Sequence, residues 1–258
     1  MKFERTRVCG FENALYGMRN AKNSWNKIDS EFGFCGEEGL EDGMAILYEN
    51  NDIYEYAKIG KNDMQLAQTL ICAGSEHRKF LRQIQVEVTI TAPLFWWKEF
   101  STYKVGTVAN STSTMHKLAS TPISMDCFEM DDFAESVMIE DNSEDRNDVN
   151  VNCLWDNLIY CLEQLRETYN ETKDKRYWKE LIRLLPESWL QTRTVTMNYE
   201  NLLGMCSKGQ RRFHKLTEWS KSFIEWARSL PYAQELIFID EVLPMTKDEQ
   251  IEDAKRRG

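Results

Sequence analysis

Between Gln83 and Thr91 apolar and polar residues alternate without a break, with Ile84, Val86, Val88 and Ile90 on one side and Gln85, Glu87, Thr89 and Thr91 on the other. A period of two predicts a strand with one face in a core. Its polar row suits either solvent or a cavity that holds a polar ligand. Pro93 follows, where the first turn of a helix tolerates a missing N–H. The run LFWWKEFSTYK then predicts a helix over 94–104 that carries Phe95, Trp96, Trp97 and Phe100.

Other periodicities fill in the chain. Phe3 and Val8 among charges predict a short N-terminal strand, and FENALYGMRNA predicts a helix with Leu15 and Met18 inward and Arg19 on the solvent side. The polar, glycine-rich stretch 23–43 is expected to be loop, and 45–48 a second short strand. Asp63 is expected to cap a helix with Met64, Leu66, Ala67, Leu70 and Ile71 on one face, ended by Gly74. Leu154, Trp155, Leu158, Ile159, Leu162 and Leu165 define a helix over 151–169. A further helix over 177–185 stops at Pro186. Residues 192–196 are expected to be extended, and Asn198 to cap the next helix. Phe213, Leu216, Trp219, Phe223 and Trp226 predict one continuous helix over 211–231. The segment 129–150 is acidic, lacks glycine and has little apolar periodicity, which marks an insertion or exposed connector. Residues 247–258 are expected to form a frayed tail.

Many helices around few strands give an α+β class. The 258 residues suffice for a large core without disulfides or metal. A net charge of −10 excludes a general nucleic-acid binder, which needs a broad Lys/Arg surface, but leaves room for a local basic pocket. The seven cysteines form no CxxC pair and histidines number three, so neither structural zinc nor a disulfide framework is expected. No apolar run approaches a membrane-spanning length, and MKFERTRVCG lacks the apolar stretch of a signal peptide. The expectation is a reducing, cytoplasmic location.

The order of features resembles the flavin-dependent thymidylate synthase (ThyX) family. That family carries His-x-Ser-Pro-Phe-Glu-His, an alternating strand, a helix ending in Arg-Gln-x-x-Arg-His-Arg, and then Ser-x-Arg-Tyr. Here GSEHRKFLRQ, VEVTI, KEFSTYK and NSTSTMH follow in the same order. Downstream, KELIRLLP matches Glu-x-x-Arg-x-Leu-Pro, Asn198 matches an Asn ahead of a helix, and Arg211 or Arg212 matches a later arginine. The resemblance spans about residues 1–228, with 129–150 as the insertion and 229–258 as a C-terminal extension.

The resemblance implies a largely antiparallel central sheet flanked by helices, and a homotetramer with sites shared between subunits. It implies reductive methylation of a pyrimidine deoxynucleotide such as dUMP, with methylenetetrahydrofolate as carbon donor, FAD as hydride carrier and NADPH as reductant. It places Glu99, Ser113, Arg183, Arg211 and Arg212 toward the nucleotide. Toward the cofactor it places His77, Lys79, Thr102, Tyr103, Lys104, Asn110 and Asn198. It names no catalytic residue and no metal.

The chain departs from the family where phosphate is recognised. At Arg-His-Arg it has Thr102, Tyr103 and Lys104, and Glu99 stands at a nucleotide-contacting Gln. The Ser-x-Arg-Tyr pattern falls on 112–115 or, with one inserted residue, on 113–116; neither alignment supplies the arginine. Guanidinium meets phosphate with a planar fork that lysine lacks. Lys79, Arg82 and Lys98 are candidate replacement cations. A homologue without activity, serving as a nucleotide-binding or protein-interaction scaffold, is the alternative reading. Several features also carry plain structural readings: a surface His77, a core role for Trp96, Trp97 and Phe100, an Arg183 paired with Glu180 or Glu187, and capping for the hydroxyl run.

Overall fold

A computed structural model describes residues 1–113, 117–130, 138–139 and 149–243. Most of the acidic segment 129–150, the tail 247–258 and the ends of both Ser-x-Arg-Tyr alignments lie outside the described residues.

The strands in chain order are β1 (Lys2–Cys9), β2 (Glu31–Gly36), β3 (Ala45–Asn50), β4 (Ile53–Lys58), β5 (Gln85–Pro93), β6 (Val108–Ser111), β7 (Met138–Ile139), β8 (Val149–Asn150) and β9 (Leu190–Asn198). The first three helices are α1 (Phe11–Met18), α2 (Lys61–Cys72) and α3 (Leu94–Phe100). Longer helices follow at Val151–Thr172 and Lys175–Leu184, and shorter ones fill the stretch from Tyr199 to Val242. One sheet has the order β1-β5-β9-β6 and a second has the order β2-β4-β3, with β4 antiparallel to both neighbours. The class is α+β, with antiparallel sheets flanked by helices. None of the described helices is long and apolar enough to cross a membrane.

The chain divides into two compact units. The first contains Met1–Lys2, Thr91–Phe100 and the described residues from Asn110 to Arg193. Its core gathers Leu118, Ile123, Phe128, Leu162 and Leu181, with Trp155, Leu158, Ile159, Leu165 and Trp189 packed around them. The helix Val151–Thr172 contributes the i, i+3, i+4, i+7 stripe Trp155, Leu158, Ile159 and Leu162. Leu154, expected on that stripe, is instead 55% exposed because it sits one step off the face. Asp174 caps Lys175–Leu184 by accepting the Arg176 N–H at 2.9 Å. Pro186 ends it by forcing Leu185 to extended backbone at ψ 118°.

The second unit contains Phe3–Ile90, Ser101–Ala109 and the described residues from Thr194 onward. The predicted inner row of β5 is buried, with Ile84, Val86, Val88 and Ile90 each at 1% exposure or less. Burial of such a side chain stabilises by about 1.5–3 kcal/mol. The polar row faces β9: Thr89 bonds Thr194 at 3.1 Å in this unit, and Thr91 bonds Thr192 at 2.8 Å in the first. These hydroxyls bond across the two strands.

Four local expectations are corrected in the second unit. The stretch 23–43 is not all loop, since β2 runs through it; Gly33 and Gly36 dilute its alternation. Arg19 is not on the solvent side, because it is 5% exposed and ion-paired at 2.6 Å to Asp63, itself fully buried. Asp63 therefore does not cap α2. Gly60 holds the N-cap position, and the Asp29 carboxylate accepts the N–H groups of Asn62 and Asp63 at 2.8 and 3.0 Å. Desolvation is the largest single influence on the Asp29 carboxyl and raises its pKa, but these bonds together hold it below the usual range. The expected helix over 211–231 is broken: Lys208–Phe213 stops before His214, a π-helical turn spans Glu218–Phe223, and an α-helix spans Ile224–Arg228. A π turn adds a residue and rotates what precedes it. So Trp219, Phe223 and Trp226 stay buried while Phe213 and Leu216 are 73% and 58% exposed.

Candidate functional site

In the first unit, α3 leaves β5 directly after Pro93, and the N–H groups of Leu94 and Phe95 bond the carbonyls of Trp189 and Glu187 at 3.1 Å each. Trp96, Trp97 and Phe100 are 2%, 1% and 3% exposed and pack on one another, which bears out their core reading. Glu99 is half-buried on this helix. Asn110 stands exposed on β6, a strand in the hydroxyl-rich run that the sequence pattern did not reveal. Past β6, the Thr112 N–H bonds the Thr192 carbonyl at 2.9 Å, and the Ser113 carbonyl accepts the Lys117 N–H at 3.0 Å.

Arg183 lies exposed against Glu180, the pairing its plain reading anticipated. Lys98 pairs with Glu187 at 2.6 Å. A residue not singled out from the sequence stands nearby on β9: Arg193. Its guanidinium lies 4.3 Å over the Trp97 ring, and its Nε donates to Gln191 Oε1 at 2.9 Å. Burial lowers its pKa from the ordinary value. The sequence signal is a charged residue between Gln191 and Val195 on the row that continues to Met197, all three buried.

The helix α3 ends at Phe100 rather than running to Lys104. In the second unit, residues 101–107 form turns and loop that lead into β6. The Tyr103 ring stacks on Trp219 at 5.6 Å, and the Tyr103 carbonyl accepts the Thr107 hydroxyl at 2.7 Å. Trp219 also stacks on His214 at 4.3 Å, and the aromatic column continues through Phe223 and Trp226 to Phe3. Thr102 and Lys104 are exposed. Val105 presents its carbonyl to Asn201 Nδ2 at 2.6 Å. Gly106 has φ +81°, and a Cβ there would meet Asn198 Nδ2 at 2.8 Å. Asn198 is the helix cap the sequence predicted: its Oδ1 accepts the Asn201 N–H, and Asn201 Oδ1 accepts the Asn198 N–H, both at 3.0 Å.

The other cations here are mostly neutralised. His77 is exposed in a turn where its N–H bonds the Gly74 carbonyl at 3.0 Å, and Lys79 pairs with Glu76 at 3.0 Å. Arg82 and Arg78 share Glu200, whose carboxyl they hold below the usual range against its desolvation. Arg211 meets Asp240 and Glu241 at 3.1 Å each, and Arg212 is exposed on the same helix. A surface groove of about 800 Å³ is lined by Arg19, Lys22, Lys27, Asn62 and Gln65 among others, and contains none of the residues placed by the resemblance. Among the described residues no group of His, Cys, Asp or Glu side chains is arranged to hold a metal.

The fold is that of the flavin-dependent thymidylate synthases. The chain superimposes on flavin-dependent thymidylate synthase ThyX from Helicobacter pylori, complexed with FAD and dUMP, with a TM-score of 0.59 and 14% identity. That alignment covers 93% of this chain and 99% of the other. A second H. pylori ThyX structure with FAD and dUMP gives a TM-score of 0.55 at 15% identity, with the same coverage. A UMP/dUMP methylase PolB from Streptomyces cacaoi, bound with 5-Br UMP, gives 0.48 at 12% identity over 83% of this chain and 94% of that one. No family model matches the sequence, and no curated protein matches it.

A flavin pyrophosphate carries two negative charges and calls for several cationic or N–H donors. At 102–104 the chain offers one cation, Lys104. Tyr103 is stacked on Trp219, and the Asn198 oxygen is committed to its helix cap. These groups do not fit the pyrophosphate as the family pattern would hold it.

Proposed function

We propose that this chain is a pyrimidine-deoxynucleotide-binding protein built on the ThyX fold, with dUMP as its reference ligand. The supporting observation is the continuous run β5, Pro93, α3, turn and β6. It carries Glu99, Thr102, Tyr103, Lys104, Asn110 and Ser113 in the order of the family motif, within a fold whose solved examples hold dUMP. His77, Lys79, Arg183, Arg211, Arg212 and Asn198 complete the proposed set, from the motif match alone. A homotetramer in the cytoplasm is the assembly and location proposed with this reading. The segment 229–258 is proposed as an extension of a 1–228 ThyX-like domain.

Reductive methylation of the nucleotide, with methylenetetrahydrofolate, NADPH and FAD, is the second reading. It is favoured by the survival of the landmarks at Arg183 and Asn198, and opposed by the poor fit of 102–104 to a flavin. The visible spectrum and calorimetric titration of purified protein decide between them. Binding of dUMP by colourless protein that takes up no added FAD supports the first reading. One flavin per subunit with dUMP-dependent oxidation supports the second. Protein that binds neither dUMP nor FAD refutes both and leaves the protein-interaction scaffold.

A further inference from the structure

A partly buried arginine usually has a carboxylate beside it, because desolvating a charge is costly unless it is compensated. Arg193 departs from this pattern. It is half-buried on β9 with its guanidinium carbon 4.3 Å over the Trp97 ring centroid, and no carboxylate pairs with it among the described residues. Only Nε has a described acceptor, Gln191 Oε1 at 2.9 Å. The terminal nitrogens bond no described residue, yet they are not among the buried polar atoms left unsatisfied, so they reach solvent. The side chain is thus held at its stem, ring face and Nε, with the outer edge of its fork open.

That arrangement is preorganised. Gln191 is 8% exposed and is itself held by donating from Nε2 to the Thr112 carbonyl at 2.9 Å, while its own carbonyl accepts the Trp97 indole N–H at 2.9 Å. Trp97 and Gln191 therefore present the guanidinium rigidly, beside the start of the hydroxyl-bearing run at Thr112 and Ser113. A planar fork held in this way loses little entropy on meeting a phosphate and binds two of its oxygens at once. Burial lowers the Arg193 pKa from the ordinary value, and no carboxylate among the described residues lies paired with it.

We propose that Arg193 is the phosphate-binding guanidinium of this chain, receiving the monoester phosphate of a nucleotide on the edge opposite its bond to Gln191. The nucleotide half of this statement rests on the function proposed above; the oxyanion half rests on Arg193 alone. It also accounts for how a phosphate is met in a chain whose 102–104 segment supplies only Lys104.

Isothermal titration of wild type, R193K and R193Q with dUMP, deoxyuridine and inorganic phosphate tests it, with melting curves to confirm folding. The expected result is a loss in dUMP affinity of about 10-fold to 100-fold in R193Q. A smaller loss is expected in R193K, which keeps the charge but not the fork, and deoxyuridine binding is unchanged in both. If R193Q fails to fold, R193K carries the comparison. Wild-type dUMP affinity in R193K and R193Q overturns the inference while leaving the nucleotide reading intact. Equal losses for dUMP and deoxyuridine also overturn it, because they mark a packing role. Wild type that ignores dUMP but takes inorganic phosphate, with that binding lost in R193Q, refutes the nucleotide reading and upholds the oxyanion site. Wild type that binds neither dUMP nor inorganic phosphate overturns the inference outright.

Discussion

Replacing Asp63 by alanine should destabilise the protein more than any conservative change on its surface. Its carboxylate is fully buried and accepts the Arg19 Nε–H at 2.7 Å, the Ser30 hydroxyl at 2.6 Å and the Asp29 N–H at 3.1 Å. Ser30 in turn accepts the Gly60 N–H at 3.0 Å, so the start of α2 and the chain at 29–30 are tied by one network. Removing one partner of a buried pair leaves an uncompensated buried charge and costs about 3–5 kcal/mol. Asp63→Asn keeps an acceptor for Ser30 and Asp29 but also leaves the buried Arg19 charge uncompensated, so its cost should stay near the lower end of that range, about 3 kcal/mol. Asp29→Ala removes an exposed helix cap and should cost about 1 kcal/mol. Urea unfolding followed by far-UV circular dichroism and extrapolated linearly to water gives the three values at unchanged slope. The double change Arg19→Met with Asp63→Leu should recover much of the loss, because it removes both charges. If Asp63→Ala lies within about 0.5 kcal/mol of wild type, the range for ordinary surface substitutions, the buried-pair argument is wrong.

Two further outcomes follow from single residues. Cys206 is buried, and desolvation pushes its thiol up to about 12 from an ordinary 9.0. A raised folded-state pKa contributes stability that is complete below pH 9 and is lost as pH rises toward 12. Wild-type stability should therefore decline between pH 9 and 10, on the order of 1 kcal/mol per unit at most. Cys206→Ala should show a shallower decline over the same window; identical slopes would count against the assignment. Gly106→Ala forces an L side chain to φ +81° against Asn198 Nδ2, and should cost about 1–2 kcal/mol in thermal or urea unfolding. A neutral result would show that the turn shifts freely away from the Asn198 cap.

The elements legible in the sequence were those whose signal is local. The β5 alternation, the stripe of 151–169, the stop at Pro186 and the cap at Asn198 are each written in residues a few positions apart, and each appears in the structure. The misread elements depend on distant partners. Asp63 ahead of an apolar run has the same sequence signature whether it caps a helix or receives Arg19 from 44 positions away. β2 has glycines where side chains would reveal its period, and it becomes a strand by pairing with β4. The break at His214 and the π turn after it leave the i, i+4, i+7 spacing of Trp219, Phe223 and Trp226 intact, so periodicity alone predicts one helix. Arg193 was hidden because Thr192, Thr194 and Thr196 fill one face of its strand while Gln191 and Arg193 itself make the other look polar too. Its lack of a carboxylate partner among the described residues is a property of the folded chain only.

Which cations are available to an anion follows from how each is already paired. Exposed ion pairs contribute about 0–1 kcal/mol, so Lys79 on Glu76, Lys98 on Glu187 and Arg183 on Glu180 are exchangeable at little cost. Arg211 is different: its side chain is 17% exposed and meets two carboxylates, and Glu241 is shared with Arg228 at 2.8 Å. Drawing Arg211 onto a phosphate would strand two acids, both partly buried, and add their repulsion to the incoming charge. Lys104 and Arg193 have no such claim on them among the described residues, but Lys104 is an exposed point charge and Arg193 a held fork. In a chain of net charge −10, long-range attraction does not gather anions, so recognition falls to a cation that is both unpaired and preorganised. Arg193 meets both conditions. It stands on β9, not in the turn at 102–104 where the family resemblance places the phosphate contacts.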